Sequence, residues 1–94
     1  MYKVIWESSV EKDLAKFDRI KAKKIKDRVE NFLAKNPAEY GKPLTGNLKG
    51  LWSYRFSKYR VIYQIQQSEL LIIVVEAGHR REVYRNFHRK VKEL

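Results

Sequence analysis

Cysteine is absent from the 94 residues. That absence excludes a disulfide scaffold, a thiolate metal site and a cysteine nucleophile. It also removes the usual signature of a small secreted domain, so a reducing cytoplasm is the expected setting. Long apolar runs are missing too: the longest, Leu70–Val75, falls far short of the roughly 20 residues of a membrane span. The N-terminus lacks the charged, then apolar, then small-residue order of a signal peptide. Histidine is confined to His79 and His88, and with scattered acids these lack ligand spacing, so neither a metal nor a cofactor is expected. No linker, repeat or low-complexity tract interrupts the chain, and its length predicts one compact domain over residues 1–94.

Positive charge, by contrast, is in excess, with 21 basic residues against 11 acidic ones and a net charge of +10. Such a small basic domain attracts polyanions, nucleic acid foremost. The excess is uneven. Residues 40–68 carry Lys42, Lys49, Arg55, Lys58 and Arg60 with no acid among them, whereas the flanking segments are closer to balance.

Hydrophobic periodicity orders the chain. Met1–Trp6 alternates with a period of two and predicts a strand. Ser8 and Glu11 have capping-box spacing ahead of the stripe Val10, Leu14 and Phe17, which predicts a helix. Asp18 is placed to cap a second helix, whose stripe Ala22, Ile25, Val29, Phe32 and Leu33 runs until Asn36-Pro37. Its lysines, Lys21, Lys23, Lys24 and Lys26, are read as a solvated outer face. Pro37 to Gly50 reads as a loop. Leu51–Phe56, Arg60–Gln66 and Glu69–Ala77 then predict an antiparallel meander, with Gly78 ending its last strand. Arg80–Leu94 carries Val83, Phe87 and Val91 at steps of four, a thin helical stripe in a basic tail.

Alternation sorts the meander into two faces. Trp52, Tyr54, Phe56, Tyr59, Val61 and Tyr63 share the side that the helical hairpin covers, and with Trp6, Phe17 and Phe32 they are assigned to the core. Ser53, Arg55, Arg60, Ile62 and Gln64 share the other. Glu76 is placed with Ile72 and Val74, as a partner for Arg60 or Arg80. His79, Arg80 and Tyr84 follow the last strand, and a cationic, tyrosine-bearing concavity with Arg55 and Arg60 is expected there. Guanidinium groups fork onto phosphate oxygens and aromatic rings stack on splayed bases, so this chemistry suits RNA.

The runs Leu48-Lys49-Gly50-Leu51 through Tyr54-Arg55, Tyr59-Arg60-Val61-Ile62-Tyr63 and Gly78-His79-Arg80-Arg81-Glu82-Val83-Tyr84, behind a strand and two helices, resemble the RelE/ParE toxin superfamily, and its RelE branch in particular. The resemblance covers essentially the whole chain. It implies an α+β fold of order β-α-α-β-β-β, an antiparallel meander packed on the N-terminal helical hairpin, with a short or mobile C-terminal helix. It also implies a cytoplasmic toxin of a type II toxin–antitoxin system and a RelB-like antitoxin partner. RelE-like toxins cut mRNA in the ribosomal A site without a metal, which brings mRNA and 16S rRNA as further partners and no membrane. Carried over by position, Arg55, Arg60, Arg80 and Tyr84 match the family's catalytic set. The family's second meander-strand lysine falls here on Ser57, with Lys58 adjacent, and His79 precedes the matched arginine.

Metal-free RNA cleavage proceeds by attack of the 2′-OH on the adjacent phosphate, giving a 2′,3′-cyclic phosphate and a 5′-OH. Arg55 and Arg60 are expected to stabilise phosphate charge, Arg80 to hold the leaving side, and Tyr84 to stack on a base or orient the 2′-OH. The general base is His79 or Lys58, His79 being favoured because an ordinary imidazole titrates near neutrality. Lys42, Lys49, Arg81 and Arg85 are expected to contact RNA outside the reacting centre. Two rival readings share this sequence: a DNA gyrase inhibitor of the ParE kind, and a non-catalytic RNA- or ribosome-binding module.

Overall fold

The computed structural model describes residues 1–92. Five strands form one sheet in the order β1-β5-β4-β3-β2, built from Lys3–Trp6 (β1), Lys42–Pro43 (β2), Trp52–Phe56 (β3), Tyr59–Gln66 (β4) and Leu71–His79 (β5). The meander is antiparallel as expected, and β1 joins β5 in parallel. Helices α1 (Ser8–Ala15) and α2 (Arg19–Asn31) cover one face, the short α3 (Pro37–Tyr40) leads into β2, and α4 (Val83–Lys92) crosses the other face. The α+β fold and its helical hairpin thus stand as the periodicity implied. The expected tail runs on to Leu94, and its last two residues lie outside the described ones.

The caps show where local sequence rules held. Asp18 caps α2, its side chain accepting from the amides of Ile20 at 2.9 Å and Lys21 at 3.4 Å. The capping box at Ser8 does not form: α1 begins at Ser8, with Glu7 as N-cap and no side-chain bond. The Glu7 carbonyl takes the amides of Val10 and Glu11 instead.

Val10, Leu14, Ile25, Val29 and Leu33 pack on Tyr54, Val61, Tyr63, Ile72 and Val74 to make the main core, each side chain contributing roughly 1.5–3 kcal/mol through burial. Arg28 ties α2 to β3. Its guanidinium lies 4.7 Å from the Phe32 ring centre and 5.4 Å from that of Phe56, and its Nε donates to the Tyr54 hydroxyl at 2.9 Å. A smaller core on the opposite face holds Ile62, Val83 and Phe87, flanked by Leu44, Leu48, Leu51 and Val75. Val83 and Phe87 of the tail's helical stripe are spent there, while Val91 stays exposed.

Three expectations along the sheet need correction. Pro37–Gly50 is not a plain loop: Pro37 opens α3 at a position where its missing N–H costs nothing, and β2 follows after Gly41. Gly78 does not end β5, which continues to His79 with Gly78 paired opposite Arg60. Glu76 does not share the Ile72 and Val74 face. A bulge leaves Val75 without a partner, so Ile62 pairs with Glu76 while Tyr63 pairs with Val74. One extra residue reverses the side on which everything after it emerges.

The reversal has a consequence for α4. Glu76, 1% exposed, accepts from Lys90 Nζ at 3.1 Å, and the same ammonium donates to Asp13 at 2.8 Å and to Ser9 Oγ at 3.4 Å. Burial pushes the Glu76 carboxyl above its ordinary value against the pull of Lys90. Burial opposes the charge on Lys90, but its bonds to Asp13 and Glu76 prevail and raise it above 10.5. A base with a raised folded-state value adds stability that is full below its unfolded value and is lost as pH rises through the folded one. Docking of α4 should therefore weaken above pH 10.5, read as a loss of amide-exchange protection in residues 83–91. Lys90→Met should loosen α4 at neutral pH, at a cost of about 1–3 kcal/mol. Adding Glu76→Gln should recover part of that loss.

Candidate functional site

Two clefts flank the β3–β4 hairpin, and it is the smaller whose cations stand without acids. The larger, about 870 Å³, lies between α2 and the Ser57-Lys58 turn and is lined by Asp18 and Asp27 as well as by basic residues. The smaller, about 530 Å³, opens on the opposite face and is lined by Tyr40, Lys42, Pro43, Leu44, Ser53, Arg55, Arg60 and Tyr84, with no carboxylate among them.

Sheet register builds this second cleft. Lys42 pairs with Ser53, Ser53 with Ile62, and Arg55 with Arg60. Paired residues share a face, so β2, β3 and β4 together present Lys42, Ser53, Arg55 and Arg60 on one side. Arg60 is held in place there: Nη1 donates to Ser53 Oγ and to the Tyr84 hydroxyl, each at 2.9 Å. Its guanidinium carbon sits 4.9 Å from the Tyr84 ring centre. Arg60 Nε is buried with no hydrogen-bond partner among the described residues. Like charges directly opposite across a strand pair are destabilising, and the Arg55–Arg60 pair accepts that cost. An anion bound between them would relieve it and give the free donors an acceptor.

The structure gathers Arg55, Arg60 and Tyr84 as the sequence led us to expect, and brings Lys42 to them. The other proton-transfer candidates are elsewhere. His79 pairs with Tyr59, whose side chain belongs to the core under α1 and α2, so the pleat directs His79 away from the Arg60 face. Lys58 occupies the turn ahead of β4, beyond the paired positions, with its ammonium 5.9 Å from the Tyr59 ring centre, and it lines the other cleft. The expectation of either residue as a base beside Arg60 is corrected by this geometry. Arg80 stands in the turn before α4, its amide bonded to the Lys58 carbonyl at 2.8 Å, and does not line the cleft. Lys49, Arg81 and Arg85 are exposed outside it.

Two lining residues with polar side chains, Tyr40 and Ser53, escaped the sequence reading of the site, as did the apolar Pro43 and Leu44. Tyr40 arrives on α3, its ring stacked on Phe32 at 4.3 Å, and the proline at the first position of that helix was the available signal. Ser53 was placed on the right face, but nothing in the sequence marks it as the acceptor that fixes Arg60. Among the described residues no group of three or more histidines and acids could hold a metal ion, and no helix is long and apolar enough to cross a membrane.

Comparison with known proteins places the chain's family and fold. Residues 4–84 match the family described as ParE toxin of type II toxin-antitoxin system, parDE. Toxin RelG of Mycobacterium tuberculosis is 34% identical over 53 residues, 56% of this chain and 61% of that relative, so the match spans less than two thirds of its length. The crystal structure of the RelBE2 toxin–antitoxin complex from Mycobacterium tuberculosis superposes with a TM-score of 0.80 at 26% identity, covering 84% of this chain and 98% of that one. The isolated RelE toxin of E. coli shares the fold, with a TM-score of 0.67 at 19% identity over 97% of this chain and 99% of that one.

Proposed function

This chain belongs to the ParE toxin family of type II toxin–antitoxin systems, and from that premise we propose that it is a ribosome-dependent endoribonuclease that cuts mRNA. The observation that carries the reading is the acid-free cleft in which Arg60, held by Ser53 and Tyr84, faces Arg55 and Lys42. Phosphoryl chemistry on RNA needs preorganised positive charge where the pentacoordinate phosphorus forms. Arg60 is oriented for this before substrate arrives, so little reorganisation remains to be done in the reaction.

In the proposed reaction the 2′-oxygen forms a bond to phosphorus as the bond to the 5′-oxygen breaks, leaving a 2′,3′-cyclic phosphate and a 5′-OH. Arg55 and Arg60 stabilise the phosphorane, and Tyr84 stacks on the adjacent base or orients the 2′-OH. No metal is required by this scheme. Arg80, Arg81, Arg85 and Lys49 meet mRNA or 16S rRNA around the cleft. The partner is a RelB-like antitoxin that covers the basic face or displaces α4, and the setting is the cytoplasm. Residues 1–94 act as one toxin domain.

Brief induction followed by primer extension tests the reading. Breaks positioned by codon in translated mRNA, with 5′-OH ends, are the expected result. The ParE family match favours one rival, a gyrase inhibitor. Gyrase-linked DNA breaks with intact mRNA would establish that rival and end the nuclease reading.

A further inference from the structure

The reaction just described leaves one role unfilled, since the departing 5′-oxygen needs a proton and neither His79 nor Lys58 lines the cleft. We propose that Lys42 is the proton donor to that oxygen, an assignment that rests on the nuclease reading. Guanidinium groups hold their protons too tightly to pass them on. The remaining groups in the cleft with a proton to give are Lys42, Tyr40, Tyr84 and Ser53. The Ser53 and Tyr84 hydroxyl oxygens are both held against Arg60 Nη1, which fixes them on the Arg60 side of the cleft. Tyr40 is fixed by its stack on Phe32.

Lys42 is differently placed. It is exposed on β2 and pairs directly with Ser53, one strand from the Ser53 oxygen that anchors Arg60. Its side chain lines the same cleft as Arg55 and Arg60. Among the described residues it has no ion-pair partner. An ammonium offers three donors on a flexible stem, so it can follow a leaving group as the bond lengthens.

Proton and bond accounting is complete in this scheme. The 2′-OH proton passes to solvent water as O2′ bonds to phosphorus, the P–O5′ bond breaks, and one Nζ proton moves to O5′. Water then reprotonates the amine. The arginines keep all their protons, and no other co-reactant enters.

A charge role and a proton-donor role separate on a substrate whose scissile 5′-oxygen is replaced by sulfur, because a thiolate leaves without protonation. The assay uses the full chain and programmed ribosomes carrying either the ordinary mRNA or one with a single bridging 5′-thio linkage in the A-site codon. With the ordinary linkage, both Lys42→Ala and Lys42→Arg should cut about 10²–10⁴-fold more slowly than the native chain. With the thio linkage both should cut at close to the native rate. Arg60→Ala should be slow on both linkages, since it stabilises charge whichever atom departs.

Restored cleavage of the ordinary linkage by Lys42→Arg would overturn the assignment in favour of charge alone. So would equal losses on the two linkages, or no loss at all. A native chain that cuts neither mRNA would instead remove the nuclease reading, and with it this role for Lys42.

Discussion

Replacing Arg60 by alanine should abolish growth arrest on induction and lower mRNA cleavage by about 10²–10³-fold or more, while the chain keeps its fold. The size of the effect follows from what Arg60 does in the cleft. Of the two guanidinium groups lining it, Arg60 is the one held by two side-chain acceptors, Ser53 and Tyr84, so its charge is placed before RNA binds. Removing it leaves Arg55 and Lys42 on a broader, looser surface. The stability cost should be modest, about 1–2 kcal/mol, because two hydrogen bonds and one cation–π contact are lost but the partnerless Arg60 Nε disappears with them. Arg60→Lys should fare little better, since an ammonium lacks the planar fork that fixes the guanidinium against Ser53 and Tyr84. Circular dichroism and thermal melting separate this outcome from unfolding. A stable, folded Arg60→Ala chain that still arrests growth would remove the cleft from the mechanism.

Much of this cleft was legible in the chain because strand alternation is a rigid rule. Ser53, Arg55 and Arg60 could be set against Tyr54, Tyr59 and Val61 from spacing alone, and the sheet pairs them as spacing implies. Asp18 as a cap was legible for a similar reason, since its bonds are local. What escaped was fixed by pairing between distant segments. The bulge at Val75 depends on how β5 is held between β1 and β4, and no residue near it announces that Glu76 will turn toward Lys90. The extension of β5 past Gly78 is of the same kind, and it places His79 opposite Tyr59, on the face away from Arg60. Lys42 was marked as basic, but its place beside Ser53 depends on two residues of β2 pairing with β3 across an intervening turn.

That same small strand is secured from beneath by a single close approach, and Gly41→Ala should disrupt it although the change adds only a methyl group. A Cβ at position 41 would overlap the Tyr63 hydroxyl oxygen, a contact that atoms do not tolerate, and would press at 3.2 Å on the Pro37 carbonyl. The tyrosine cannot swing aside. Its side chain is fully buried, and its hydroxyl donates to the Pro37 carbonyl at 2.7 Å. Burial raises the phenol's ionisation above its ordinary range, which favours the neutral, donating form. Relief therefore requires the segment carrying α3 and β2 to lift, breaking a buried hydrogen bond as it goes. Overpacking and the lost bond together should cost about 2–5 kcal/mol, which for a domain of this size is a fall in Tm of roughly 10–30 °C. Tyr63→Phe should cost less, about 1–3 kcal/mol, because it leaves the Pro37 carbonyl unpaired but creates no clash. In the double variant the phenol oxygen is gone, so part of the Gly41→Ala penalty should be returned, a non-additivity that melting curves of the four chains would reveal. If the two losses simply add, the contact is not what holds α3 and β2 in place. The functional expectation comes from the same lift: Tyr40 and Lys42 leave the cleft together, so even at a temperature where Gly41→Ala remains folded, cleavage should fall while Arg60 keeps its bonds to Ser53 and Tyr84.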